Sequence, residues 1–138
     1  MKARAEVWLP YLESVDADED TILVGPSSGA VAAMRYAESH KLLASVLVSV
    51  RHTDLGDALE AASGYCREPW QGQRIRENQQ WIAIFHSTDD PLIPIAEARH
   101  VAAQLKSSYF EFTDRGHFNQ SHEFPEALDF IRRKLLTA

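Results

Sequence analysis

The chain has 138 residues, one cysteine and a formal net charge of −6, and 45% of its residues are hydrophobic. That length suits one domain, spanning 1–138, able to bury a core, and the acidic balance argues against a nucleic-acid surface. The lone Cys66 excludes an internal disulfide framework.

No stretch approaches membrane-spanning length, and Met1-Lys2-Ala3-Arg4 leads into an amphipathic segment rather than a signal-peptide core. A cytoplasmic protein without a membrane or nucleic-acid partner is therefore the expectation. In chain order, Val7, Trp8, Tyr11 and Leu12 recur at helical spacing over 3–14, with Trp8 expected in the core. An acidic connector, 15–20, leads to the apolar run Thr21 to Gly25, which reads as a strand. Residues 28–39 read as an alanine-rich helix with one face on a sheet. Residues 45–50 form a second buried strand, and 51–64 are punctuated by Asp54, Gly56, Asp57 and Gly64 as a loop.

Tyr65, Pro69 and Trp70 precede a polar helix at about 71–78. A third strand, 81–85, ends in His86-Ser87-Thr88-Asp89-Asp90-Pro91. A helix over 95–105, a strand over 108–112, the loop 113–118 and an amphipathic helix over 124–136 complete the chain. Short apolar strands alternating with helices predict a three-layer α/β/α fold with a mainly parallel sheet of about four strands.

The junction Gly25-Pro26-Ser27-Ser28-Gly29 lies between a strand pattern and a helix pattern. Alone, Gly-x-Ser-x-Gly is common and could be a turn with a serine N-cap. Between these flanks it has the form of a nucleophile elbow, with Ser27 at the tip and the Ser28 N–H aimed at an oxyanion. Loops after the carboxyl ends of parallel strands build sites in such folds. Asp90 and His117 occupy two further loops of that kind, and Ser, Asp, His is the order of α/β-hydrolase triads. In that arrangement His117 takes the serine proton and Asp90 orients the imidazole.

The competitors fit less well. Ser28 is one residue past the tip, and Asp89 is one residue early. His86 and His122 match the loop position poorly, while His40, His52 and His100 look solvent-facing. No Cys/His/carboxylate grouping has metal spacing, and a Ser-His-Asp triad needs no cofactor. Tyr65, Trp70 and Trp81 suggest an apolar or aromatic pocket, although such residues more often pack a core.

The segments Trp8-Leu9-Pro10, Gly25 to Ala30, Ala33 to Glu38, Val46 to Ser49, Asp54 to Asp57, Ala62 to Tyr65, Arg67 to Trp70, Ser87 to Pro91 and Gly116-His117-Phe118 span the chain. Through them it resembles the retinoblastoma-binding-protein-9-like serine hydrolases of the α/β-hydrolase superfamily. The resemblance implies a small serine hydrolase without a large lid, acting on small ester or amide substrates. It implies the triad Ser27, Asp90 and His117, with the Tyr65–Trp70 region as a pocket wall. Pro26 stands where that family usually has His, and His86 where it has Gly. The motif Leu-x-Cys-x-Glu is absent between Leu12 and Asp20, so a retinoblastoma-type partner is not carried over.

The resemblance also implies a strand, a Gly-rich loop with a second oxyanion donor, a helix and a strand ahead of Met1. Losing one such donor costs about a hundred- to a thousandfold in rate. Without that layer, Ile22-Leu23-Val24 becomes an exposed edge that could drive self-association. Two function classes thus stand open: a serine hydrolase, weakened or not, and a catalytically impaired hydrolase-fold protein acting through protein–protein contacts.

Overall fold

In the computed structural model residues 5–118 and 124–136 are described, with the backbone alone at 7 and 8. The predicted core position of Trp8 and the placement of His122 therefore lie outside what is described. The elements run α1 (Ala5–Ser14), β1 (Ile22–Pro26), α2 (Ser28–Ala37), β2 (Ala44–Val48), α3 (Ala58–Ser63), α4 (Gly72–Glu77), β3 (Trp81–Ser87), α5 (Ile95–Leu105), β4 (Ser108–Phe112) and α6 (Pro125–Leu136). The four strands pair in chain order, β1-β2-β3-β4, and every pairing is parallel. Parallel neighbours need a crossover, which the helices between them supply.

Every residue of β2 is buried, as a central strand covered on both faces must be. Leu47 and Ile84 face a core shared with Met34 of α2, Ile75 of α4 and Val101 of α5. Val46, Val48, Ala83 and Phe85 face the opposite layer, where Ala127, Phe130 and Ile131 of α6 cover them. This is the expected three-layer α/β/α arrangement.

Two local readings change. The stretch taken as an unbroken loop holds the short helix α3: the Asp57 carboxylate accepts the Leu59 and Glu60 N–H groups at 2.8 and 3.2 Å. Gly64, at φ +86°, ends it in the left-handed region. Two of the three histidines expected in solvent are instead partly buried. His40 stacks on Tyr36 and pairs with Glu13, and His52 stacks on His100 and pairs with Glu97. A ring buries its apolar face while a carboxylate satisfies its nitrogen.

Candidate active site

The sharp turn after β1 rests on two glycines. A Cβ on Gly25 would collide with the backbone of Gly29 and lie 2.7 Å from the Ala30 nitrogen, so strand and helix can cross only there. The Ser27 N–H continues the ladder to the Val48 carbonyl at 2.7 Å. Its φ of 53° and ψ of −116° put a non-glycine residue in a strained region, a conformation that persists only where the surroundings over-determine it. Pro26 is tolerated because ladder direction alternates along a strand. With Ser27 N facing β2, the Pro26 nitrogen faces the outer edge of β1, which is unpaired among the described residues and calls for no donor there.

α2 starts directly beneath Ser27. Its N-terminal turn contributes positive potential at the turn, and the Ser28 N–H has no acceptor among the described residues. That leaves it available to an oxyanion.

Asp90 and His117 meet across the loops after β3 and β4. His117 Nδ1 donates to Asp90 Oδ2 at 2.9 Å. The other carboxylate oxygen accepts the Leu92 and Ile93 N–H groups at 2.8 and 3.0 Å. The Asp90 side chain is fully covered and that of His117 is 12% exposed. Burial pushes the Asp90 carboxyl upward, but the bonds from His117, Ile93 and Leu92 outweigh it and hold the group below its ordinary value. With Nδ1–H committed to Asp90, the Nε2 lone pair is free to accept a proton. No hydrogen bond joins it to the Ser27 hydroxyl among the described residues, a contact that commonly tightens only when substrate is present.

His86 proves closer to this pair than its sequence position suggested. It lies on β3, completely buried, with Nε2 2.9 Å from the Ile93 carbonyl and 3.7 Å from Asp90 Oδ2. The carbonyl fixes the proton on Nε2, and Nδ1 has no partner among the described residues. Period-2 alternation puts His86 on the face with Ile84, which was the signal available for its burial. Asp89 does not reach His117. Its carboxylate binds Ser87 and the Gly116 backbone.

The two residues expected in the pocket wall border different cavities. Tyr65 is 1% exposed, packs on Val31 and Ala32 of α2 and borders a cavity of about 320 Å³ with Pro26, Ser28 and Gly29. Burial pushes its hydroxyl to about 12, despite the opposing charge of Arg51. Trp70 borders a different cavity, of about 300 Å³, with Met34, His52 and His100. Its indole N–H donates to the His52 carbonyl at 2.7 Å, and the Arg35 guanidinium lies 3.6 Å over its ring. Trp81 opens β3 at the far end of the sheet, edge-on to Phe130. Among the described residues no group of three His, Cys, Asp or Glu side chains could hold a metal ion, and no helix is long and apolar enough to cross a membrane.

The strand-turn-helix with its serine, and the carboxylate–imidazole pair two loops away, define the α/β-hydrolase class. The structure of the ydeN gene product of Bacillus subtilis superimposes with a TM-score of 0.86 at 26% identity, covering 96% of this chain and 75% of that one. An α/β hydrolase from a Mar Chica lagoon metagenome shares the fold at a TM-score of 0.68, 15% identity and 99% and 71% coverage. The family model for serine hydrolases matches residues 1–132, and the chain belongs to that family. It is 48% identical over 137 residues to serine hydrolase RBBP9 of Rattus norvegicus, covering 99% of this chain and 73% of the relative.

Proposed function

We propose that this enzyme cleaves small ester or amide substrates through Ser27, His117 and Asp90. The 2.9 Å bond between His117 and Asp90, in loops at the same carboxyl-terminal edge of the parallel sheet as the strained Ser27 turn, is the observation that carries the reading. Ser27 Oγ attacks the carbonyl carbon while His117 Nε2 takes its proton, and the Ser28 N–H stabilises the oxyanion. Collapse of the tetrahedral intermediate expels the leaving group, which receives that proton, and leaves an acyl-serine. Water, deprotonated by the same imidazole, then releases the acid. Asp90 keeps the imidazole in the required tautomer and stabilises its cation. None of these steps calls on a cofactor.

The test is fluorophosphonate labelling of the purified chain beside Ser27→Ala and His117→Ala. Labelling is expected in the parent and lost in both variants. A folded parent that does not label, or a Ser27→Ala protein that still does, would refute the reading.

A second reading concerns contacts between copies. Val24 on β1 is 56% exposed, and the outer edge of β1 is unpaired among the described residues. Such an edge templates strand addition, and we propose that it drives self-association through Ile22 to Val24. Sedimentation at rising concentration should show an associating species that Val24→Lys suppresses. A strictly monomeric parent would count against it.

A further inference from the structure

Three consecutive residues of the loop after β4 each hand one N–H to the end of β3 or the loop that follows it. Arg115 N donates to Ser87 Oγ at 3.0 Å, Gly116 N to Asp89 Oδ1 at 2.8 Å, and His117 Nδ1 to Asp90 Oδ2 at 2.9 Å. Ser87 is completely buried at the end of β3, and its hydroxyl donates in turn to Asp89 Oδ1 at 2.5 Å. The first two links are therefore one connected unit, and the third is the proton-transfer pair.

We propose that Asp89, oriented by Ser87, is a positioning residue that keeps His117 in register with Asp90. This rests on the triad reading above.

The loop needs such a tether. Gly116 and Phe118 both have positive φ, 55° and 60°, and among the described residues the turn is closed internally by one backbone bond, Phe118 N to Arg115 O at 2.9 Å. The neighbouring Arg115 side chain is engaged elsewhere, with Glu126 and the Phe112 ring. One carboxylate oxygen that accepts from both Ser87 and Gly116 fixes the backbone one residue before the imidazole. The hydrogen bonds from Ser87 and then Gly116 also hold the Asp89 carboxyl below its ordinary value, so it remains an acceptor under acidic conditions. What the tether requires is an acceptor oxygen at this place rather than a charge.

That requirement sets the experiment. Fluorophosphonate labelling kinetics are measured for the parent, Asp89→Ala, Asp89→Asn, Ser87→Ala and His117→Ala, together with amide exchange at Gly116 by NMR. Asp89→Ala should slow the bond-forming step by about ten- to a hundredfold, the scale expected of a misplaced catalytic group, with reversible probe affinity unchanged and the chain still cooperatively folded. Gly116 exchange should accelerate by about tenfold or more as its protecting bond is lost. Asp89→Asn keeps an acceptor oxygen and should restore both readouts, and Ser87→Ala should fall between the two. An Asp89→Ala chain that labels at the parental rate overturns the proposal and leaves the triad standing, as does unchanged Gly116 exchange. Asp89→Asn as slow as Asp89→Ala overturns it in favour of a charge effect. Labelling that survives His117→Ala, or is absent from the folded parent, removes the triad reading and the proposal with it.

Discussion

The proposed nucleophile and the proposed acid–base pair of this site are held by opposite means. Ser27 is placed by backbone alone: two glycines, one ladder bond to Val48 and a helix that starts beneath it. Asp90 and His117 are placed by side chains, through a chain of hydrogen bonds that crosses between two loops. Steric placement is short-range and tolerates almost no substitution. Placement by hydrogen bonds tolerates any side chain that keeps the donors and acceptors matched, but it responds to pH.

The largest effect should come from breaking the steric half. Gly25→Ala forces a Cβ into the Gly29 and Ala30 backbone, which no rotamer change can relieve. We expect a loss of about 3 kcal/mol or more, the upper range for overpacking against rigid neighbours, read as a lowered denaturation midpoint with labelling abolished.

Asp90→Asn tests the other half and should leave the fold intact. The amide cannot stabilise the imidazolium, and the rate should fall by up to about ten-thousandfold, the scale seen when a triad carboxylate is neutralised. The same residue sets an acid limit on stability. Its folded carboxyl is held below its ordinary value, so the stability it contributes is complete above the unfolded aspartate value of about 3.9. That contribution is lost as pH falls through the lower folded value. Acid titration of the unfolding midpoint should therefore be flatter below about pH 4 in Asp90→Asn than in the parent.

The smallest effect sharpens the comparison by removing one hydroxyl beside the steric half, whose cavity Tyr65 shares with Pro26, Ser28 and Gly29. The Tyr65 hydroxyl is buried with no partner among the described residues, and an unmet buried hydroxyl costs about 1–3 kcal/mol. Tyr65→Phe should leave the unfolding midpoint equal or higher. If Tyr65 shaped a substrate wall through its hydroxyl, KM for a small ester would rise. The hydroxyl itself is buried rather than open to solvent, which predicts an unchanged KM.

Most of the architecture was legible without coordinates. The runs 108–112 and 95–105 form a strand and a helix with the predicted bounds, because period and length agree there and turn residues flank both. β2 and α2 were found with ends shifted by a residue or two, where fraying and caps decide. The helix α3 was missed because six residues carry too little periodicity to outweigh Gly56 and Gly64. Tyr65 and Trp70 border different cavities because residues of one irregular segment can turn to different sides of a helix, and aromatic content alone does not say which way.

By itself the sequence determined the alternation of strands and helices, and the small residues that let Ser27 sit in its turn. It also determined the order of the serine, aspartate and histidine along the chain. All of these follow from short-range sterics and periodicity, which neighbouring residues write directly. Only the tertiary structure showed that the Asp90 carboxylate, already favoured over Asp89 in the sequence, meets the imidazole at hydrogen-bond distance. It alone showed that Ser87 and Asp89 grip the histidine loop, and that His86 lies buried against the same carboxylate. Those choices depend on how two loops separated by α5 and β4 are brought together and rotated. The register is set by packing across the sheet, which no local pattern encodes.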